Sequence, residues 1–146
     1  MITQNRWQHI LGVARKCKEF AVKYKPEDGE FAEDMFLLGM LHDMGYEFME
    51  SNASHAFVGG GILKRSGYKY WQEVALHGDE SVDNMSDELF ILNCADMSTG
   101  PSGEDFTFDE RLAEIKSRFG VDSSPYKKCV IEVEKLKADK RYSKIL

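Results

Sequence analysis

Long hydrophobic runs are missing from this 146-residue sequence, and with them any stretch of about 20 apolar residues that a bilayer-crossing helix needs. Its first residues, MITQNRWQHILG, also lack the continuous apolar core and small-residue cleavage site of a secretory signal, so a cytoplasmic location is expected. Cysteine is scarce. Cys17, Cys94 and Cys129 are odd in number and far apart, which argues against a disulfide framework or a Cys-x-x-Cys metal site and for buried free thiols. Proline occurs three times, no segment alternates strongly enough to read as a strand, and no repeat or low-complexity tract is present. A basic stripe is missing too. The net charge is −6, and the Lys- and Arg-rich run from 127 to 144 is interspersed with acids, as on a solvated helical face. A groove for long nucleic acid is thereby excluded, and no membrane partner is expected. A small anion remains possible, because bound metal reverses the local potential that net charge suggests.

What the chain does have is ordinary globular composition, 42% hydrophobic and 30% charged. Its length suits one domain, 1–146, able to bury about two-thirds of its unfolded surface. Apolar residues recur at helical spacing. Trp7, Ile10, Ala14, Cys17, Ala21 and Tyr24 predict a helix over Asn5–Tyr24 with His9 on the flank of its stripe. Pro26-Glu27-Asp28 reads as a helix start, and a second helix is expected over 30–43, with Phe31, Met35, Leu38 and Leu41 inward and Gly45 as its stop.

A loop through Ser51-Asn52-Ala53 then leads to a helix capped by Ser54. Gly59-Gly60-Gly61 cost that helix about 1 kcal/mol each, so either another element approaches closely there or the glycines form a turn. Further helices are expected over 70–77, over 86–96, from the Thr107/Glu110 capping box to Phe119, and from Ser124-Pro125 onward with Val130, Val133 and Leu136 inward. The expectation is an all-α fold of about seven helices, its core over 5–119 and its last helix over 125–140.

Chemistry concentrates at the four histidines and at two aspartates near them: His9, the doublet His42-Asp43 in LHDMG, His55, His77 and Asp96. Imidazole with carboxylate suits transition metals, and the imidazole share favours iron or manganese over magnesium, which prefers oxygen ligands. Six ligands exceed one usual site and suit two divalent ions sharing a carboxylate. Asp96, after Cys94-Ala95 in an apolar helix, needs a partner or a metal to remain ionised at modest cost.

In order and context, His9, His42-Asp43 with Met44-Gly45 after it, and Asp96 resemble the HD-domain superfamily of metal-dependent phosphohydrolases, over about residues 5–119. His55 and His77 match the extra histidines of its two-metal branches. The resemblance implies an all-helical fold and an Asp43 that bridges two ions, one held by His9, His42 and Asp96, the other by His55 and His77. It also implies hydrolysis of a small phosphorylated molecule, a nucleotide or dinucleotide. Two ions would acidify water and neutralise charge building on a phosphoryl oxygen.

Asp43, His55, His77 and Lys64 are then the expected catalytic residues. Arg6, Lys64, Arg65, Ser98, Thr99 and Arg111 are the expected substrate contacts, with Arg118 a further cation. Asp79 or Asp83 would bring an acid to the leaving group, and Tyr46 and Phe48 would wall the pocket or pack in the core. Two other outcomes stay open. Some two-iron branches use dioxygen to cleave carbon–carbon or carbon–phosphorus bonds with this same ligand set, and a domain can keep the cluster as a non-enzymatic sensor or partner module. The stretch after Asp96, Met97-Ser98-Thr99-Gly100-Pro101-Ser102-Gly103-Glu104, lacks the basic run expected for a dinucleotide.

Overall fold

A computed structural model describes residues 1–48 and 54–146. Seven helices of six residues or more carry the described chain: α1 (Gln4–Tyr24), α2 (Gly29–Leu41), α4 (His55–Arg65), α5 (Trp71–Leu76), α6 (Asp87–Met97), α7 (Phe108–Phe119) and α8 (Ser124–Ala138). Two four-residue helices, α3 (Gly45–Phe48) and α9 (Tyr142–Ile145), complete them. No strand forms among the described residues; Thr99 and Asp105 make one isolated antiparallel bridge. Nor is any described helix long and apolar enough to cross a membrane. The loop expected through Ser51-Asn52-Ala53 lies outside the described residues.

Helix α6 is the axis of the fold. Every residue from Leu89 to Ala95 is buried, so the helix has no solvent face and must be surrounded. Around it pack α1, α2, α5 and α8. Each large side chain buried there, such as Phe90, Leu92, Met35 or Leu38, contributes roughly 1.5–3 kcal/mol. Starts are set by side-chain caps: Thr3 accepts from the Arg6 amide at 3.1 Å, Ser86 from Leu89 at 3.1 Å, and the Thr107/Glu110 box closes both ways at 3.1 and 3.0 Å.

Two helix pairs flank the axis, each joined at a glycine. In α1/α2, a methyl group at Gly39 would stand 2.5 Å from Ala14 Cα; in α4/α5, one at Gly60 would stand 2.5 Å from Ala75 Cβ. The glycines of α4 therefore do not make a turn. The helix runs through them, and close approach offsets their propensity cost at Gly59 and Gly60.

Several expected boundaries shift for local reasons. Gly45 does not stop α2, which ends at Leu41; it opens α3, where a side chain would collide with the His55 carbonyl. Pro26 precedes its helix, whose N-cap is Asp28, accepting from Phe31 at 2.9 Å. Ser123, one residue earlier than expected, caps α8, and Val130 is only half-buried on it. Trp7 leaves the stripe of α1 at 43% exposure, while Val13 and Phe20 join it. Cys17 and Cys94 are buried free thiols, and Cys129 is a half-buried one.

Candidate metal centre

The elements of both flanking pairs end at one place. His9 comes from the second turn of α1, His42 caps the C-terminus of α2, Asp43 sits in the turn after it, and His55 is the first residue of α4. His77 caps the C-terminus of α5, and Asp96 lies in the last turn of α6. The six expected ligands thus converge from five helices or their ends. His9, His42, Asp43 and His77 are buried.

Asp43 stands at the centre with its two oxygens facing different partners. Oδ2 lies 3.6 Å from His9 Nε2 and 3.4 Å from His42 Nε2, whereas Oδ1 lies 3.3 Å from His55 Nε2 and 3.4 Å from His77 Nε2. Asp96 joins the first side, with Oδ1 at 2.9 Å from His9 Nε2 and 3.8 Å from His42 Nε2. Ligand atoms of His9, His42 and Asp96 lie within 4.8 Å of one another, and so do those of His42, Asp43 and His77.

The rings are turned by main-chain carbonyls. A carbonyl only accepts, so the ring nitrogen beside it must donate. His9 Nδ1 donates to Gly100 O at 2.8 Å, His42 Nδ1 to Gly39 O at 2.6 Å and His77 Nδ1 to Val74 O at 2.6 Å. In each ring Nε2 is then aimed at the carboxylates, the orientation that second-shell carbonyls give metal-binding imidazoles. His42 Nε2 is buried without any hydrogen-bond partner. A buried nitrogen lone pair with no donor, next to two carboxylates, is what a divalent transition metal fits.

The electrostatics favour positive charge at the same point. Burial resists charging His42, but Asp43 and Asp96 outweigh it and raise its pKa above the usual imidazole value. His77 is raised against the same burial by Asp43 and Asp96. Burial would raise Asp43 and Asp96, yet the surrounding imidazoles hold both well below the usual carboxylate range.

Around the cluster, the expected substrate contacts fare unevenly. Arg6 reaches Asp43 Oδ2 at 3.0 Å, not Asp96, and its guanidinium lies 3.9 Å over the Tyr46 ring. Tyr46 in turn stacks on His55 with centroids 4.2 Å apart, so its ring serves the ligand and does not face a base. Phe48 is exposed at a separate hollow beside Phe57 and Arg65.

Lys64 and Arg65 stand at the opposite end of α4 from His55, on the order of 13 Å along the axis. Lys64 lies over the Trp71 ring at 4.7 Å, so neither is brought to the cluster. Ser98 and Thr99 are buried and spend their hydroxyls on the carbonyls ending α6: Ser98 Oγ to Cys94 O at 2.7 Å, Thr99 Oγ1 to Ala95 O at 2.7 Å. They close a helix, and both hydroxyl hydrogens are engaged in doing so. Arg111 pairs with Glu114 at 2.7 Å, as Arg118 does at 2.9 Å. Asp79 accepts from both the amide and the hydroxyl of Ser81, which lowers its pKa and removes it as a proton donor; Asp83 is tied to Lys135 at 2.8 Å.

Four participants escaped the sequence. Asn93 Oδ1 accepts from the Gly78 amide at 3.0 Å, tying the end of α5 to α6 beside His77. Gly100, past α6, supplies the carbonyl that turns His9. Lys128 of α8 lines a cavity of about 410 Å³ with His55, His77, Asp79, Glu80 and Asp96. Behind it Glu132 is buried with Oε1 unpaired, and burial, then Asp96, push its carboxyl up to about 8. The spacing of Asn93 three residues before Asp96, on one face of α6, was a usable signal. For the others the sequence carries none.

In comparison with known protein families, a family model described as HD domain matches residues 6–99. The searches of curated proteins and of solved structures each gave no match.

Proposed function

The chain belongs to the HD-domain superfamily, and from that premise we propose that it is a metal-dependent phosphohydrolase of a small phosphorylated molecule, a nucleotide foremost. Membership of the family implies divalent metal binding, and the His/Asp clusters described above could hold the metal. The observation that carries the finer reading is the two-faced Asp43, each oxygen facing its own pair of imidazoles. In this reading His9, His42 and Asp96 hold one ion, His55 and His77 the other, and Asp43 bridges them, with iron or manganese the metals that suit the imidazole-rich set. Two such ions supply Lewis acidity, acidifying water and neutralising charge on a phosphoryl oxygen.

The chain's own groups do the rest. Carbonyls of Gly100, Gly39 and Val74 keep the imidazoles oriented, and Arg6 holds the Oδ2 side of Asp43. The cavity beside His55 and His77 is of a size that takes a small ligand. Residues 1–146 act as one unit in this reading, because α8 supplies part of that cavity wall.

Protein purified without oxygen and loaded with manganese or iron is expected to release inorganic phosphate, nucleoside or mononucleotide from members of a panel of nucleotides, dinucleotides and sugar phosphates, and to stop on chelation. A blank panel would contradict the reading. Dioxygen consumption by the reduced iron form with an organophosphonate or polyol would replace it with oxygenase chemistry.

A further inference from the structure

The cavity over His55 and His77 is walled on its far side by α8, a helix whose charge pattern in the sequence looks like plain solvent exposure. Among the described residues lining that cavity, Lys128 is the only Lys or Arg, and it shares the lining with Asp79, Glu80 and Asp96. Other lysines of α8 are engaged, Lys135 with Asp83 at 2.8 Å and Lys137 with Asp109 at 3.5 Å. Lys128 makes no ion pair with any described residue. Its natural partner at four residues' distance, Glu132, does not turn outward to meet it. Glu132 is 5% exposed, its Oε1 has no partner, and its acidic neighbours are Asp96, Glu80 and Asp79.

Lys128 is exposed on the rim of this cavity, where its field already reaches Asp79, and no close ion pair to a described residue fixes its ammonium. The remaining cations near the cluster cannot take its place. Arg6 is committed to Asp43, Arg111 and Arg118 share Glu114, and Lys64 is at the far end of α4. Among the described residues, the charge count around the opening is therefore one ammonium to three carboxylates. A phosphoryl group in this cavity would have Lys128 on one wall and His55, His77 and Asp96 on another. A second or third phosphate would meet Asp79 and Glu80 with no cation to offset the repulsion.

We propose that Lys128 is the substrate-phosphate contact of this site and that its solitary charge selects phosphomonoesters over polyphosphates. The proposal rests on the phosphohydrolase reading. An ammonium serves here as a point charge that donates to phosphate oxygens without a fixed fork geometry.

The test uses the full chain loaded with manganese, with inorganic phosphate as probe, followed by calorimetry, and with metal content measured alongside. Wild type is expected to bind phosphate. Lys128→Met, which keeps the length and removes the charge, is expected to weaken it about ten- to a hundred-fold with metal content unchanged. Lys128→Arg is expected to retain most of the affinity. In turnover, nucleoside monophosphates are expected to exceed triphosphates in kcat/KM, and Lys128→Met to raise KM more than it lowers kcat. Equal phosphate affinity in wild type and Lys128→Met overturns the proposal and leaves the phosphohydrolase reading standing. Metal lost together with phosphate in that variant also overturns it, since Lys128 would then act through the fold. Preference for triphosphates overturns the selection. Metal-loaded wild type that binds no phosphate overturns the proposal, while the phosphohydrolase reading stands or falls with the turnover panel.

Discussion

On the Oδ2 side of Asp43, His9 and His42 are 1% and 0% exposed, and each is locked through Nδ1 to a main-chain carbonyl, Gly100 O in the loop after α6 and Gly39 O within α2. On the Oδ1 side His77 is held the same way, but the His55 side chain is 30% exposed, stacks on Tyr46 and has its Nε2 3.2 Å from His77 Nε2, and no carbonyl among the described residues holds its Nδ1. The Oδ2 side also has Asp96, from the most deeply buried helix. An imidazole already fixed in its binding rotamer gives up little conformational entropy when it takes a metal, and one at the surface gives up more. The two sides should therefore differ in affinity, the Oδ2 side holding its ion more tightly.

The largest expected effect erases the comparison. Asp43→Ala removes the group common to both sides, so elemental analysis should find metal content falling from close to two ions per chain to near none. Retention of one ion would mean that Asp43 belongs to one side only.

A second effect comes from Glu132 behind Asp96, and it concerns stability. Its carboxyl sits near 8 in the folded protein against an ordinary 4.5. Between those values the folded chain keeps a proton that the unfolded chain has shed. Stability therefore falls as pH rises through that window and levels off above about 8. Glu132→Gln lacks this dependence. In chelator-treated protein, its stability advantage over wild type should grow across the window to a few kcal/mol, on the order set by 1.36 kcal/mol per pKa unit. A constant difference in denaturation midpoint between pH 5 and 8 would show that Glu132 is ionised in the folded state.

A smaller effect should separate the sides. Tyr46→Ala removes the ring under His55, and aromatic stacking is worth about 0.5–1.5 kcal/mol. Competition with a chelator of known affinity should show the weaker ion loosened by roughly two- to ten-fold and the tighter ion unchanged. Because Arg6, which pairs with Asp43, also lies over the Tyr46 ring, equal loosening of both would show that the ring acts through Arg6 and Asp43 and not chiefly through His55.

What could be read in advance divides along the same line as what is local and what is not. The capping box at Thr107, the cap at Ser54 and the apolar rhythm of α1 are local, and they place the helices within a residue or two. That the four histidines, Asp43 and Asp96 belong together was legible because His42-Asp43 and the spaced histidines are chemically unusual in apolar helices, and the fold brings them to one place. Which cations would reach the centre was not legible. Lys64 follows His55 closely in sequence yet sits at the other end of α4, while Lys128 is distant in sequence and lines the cavity. Helical spacing says which residues share a face, but not over which site a remote helix will fold. Ser98 and Thr99 looked available because they adjoin Asp96, and their hydroxyls were instead needed by the carbonyls that α6 leaves unpaired at its end.

The most direct test is a calorimetric titration of chelator-stripped protein with manganese, run on wild type and on His55→Ala. The account predicts two binding events of unequal affinity in wild type, with the tighter one preserved and the weaker one lost in the variant. One event in wild type, or loss of both in His55→Ala, would contradict a centre built from a locked side and a looser side joined through Asp43.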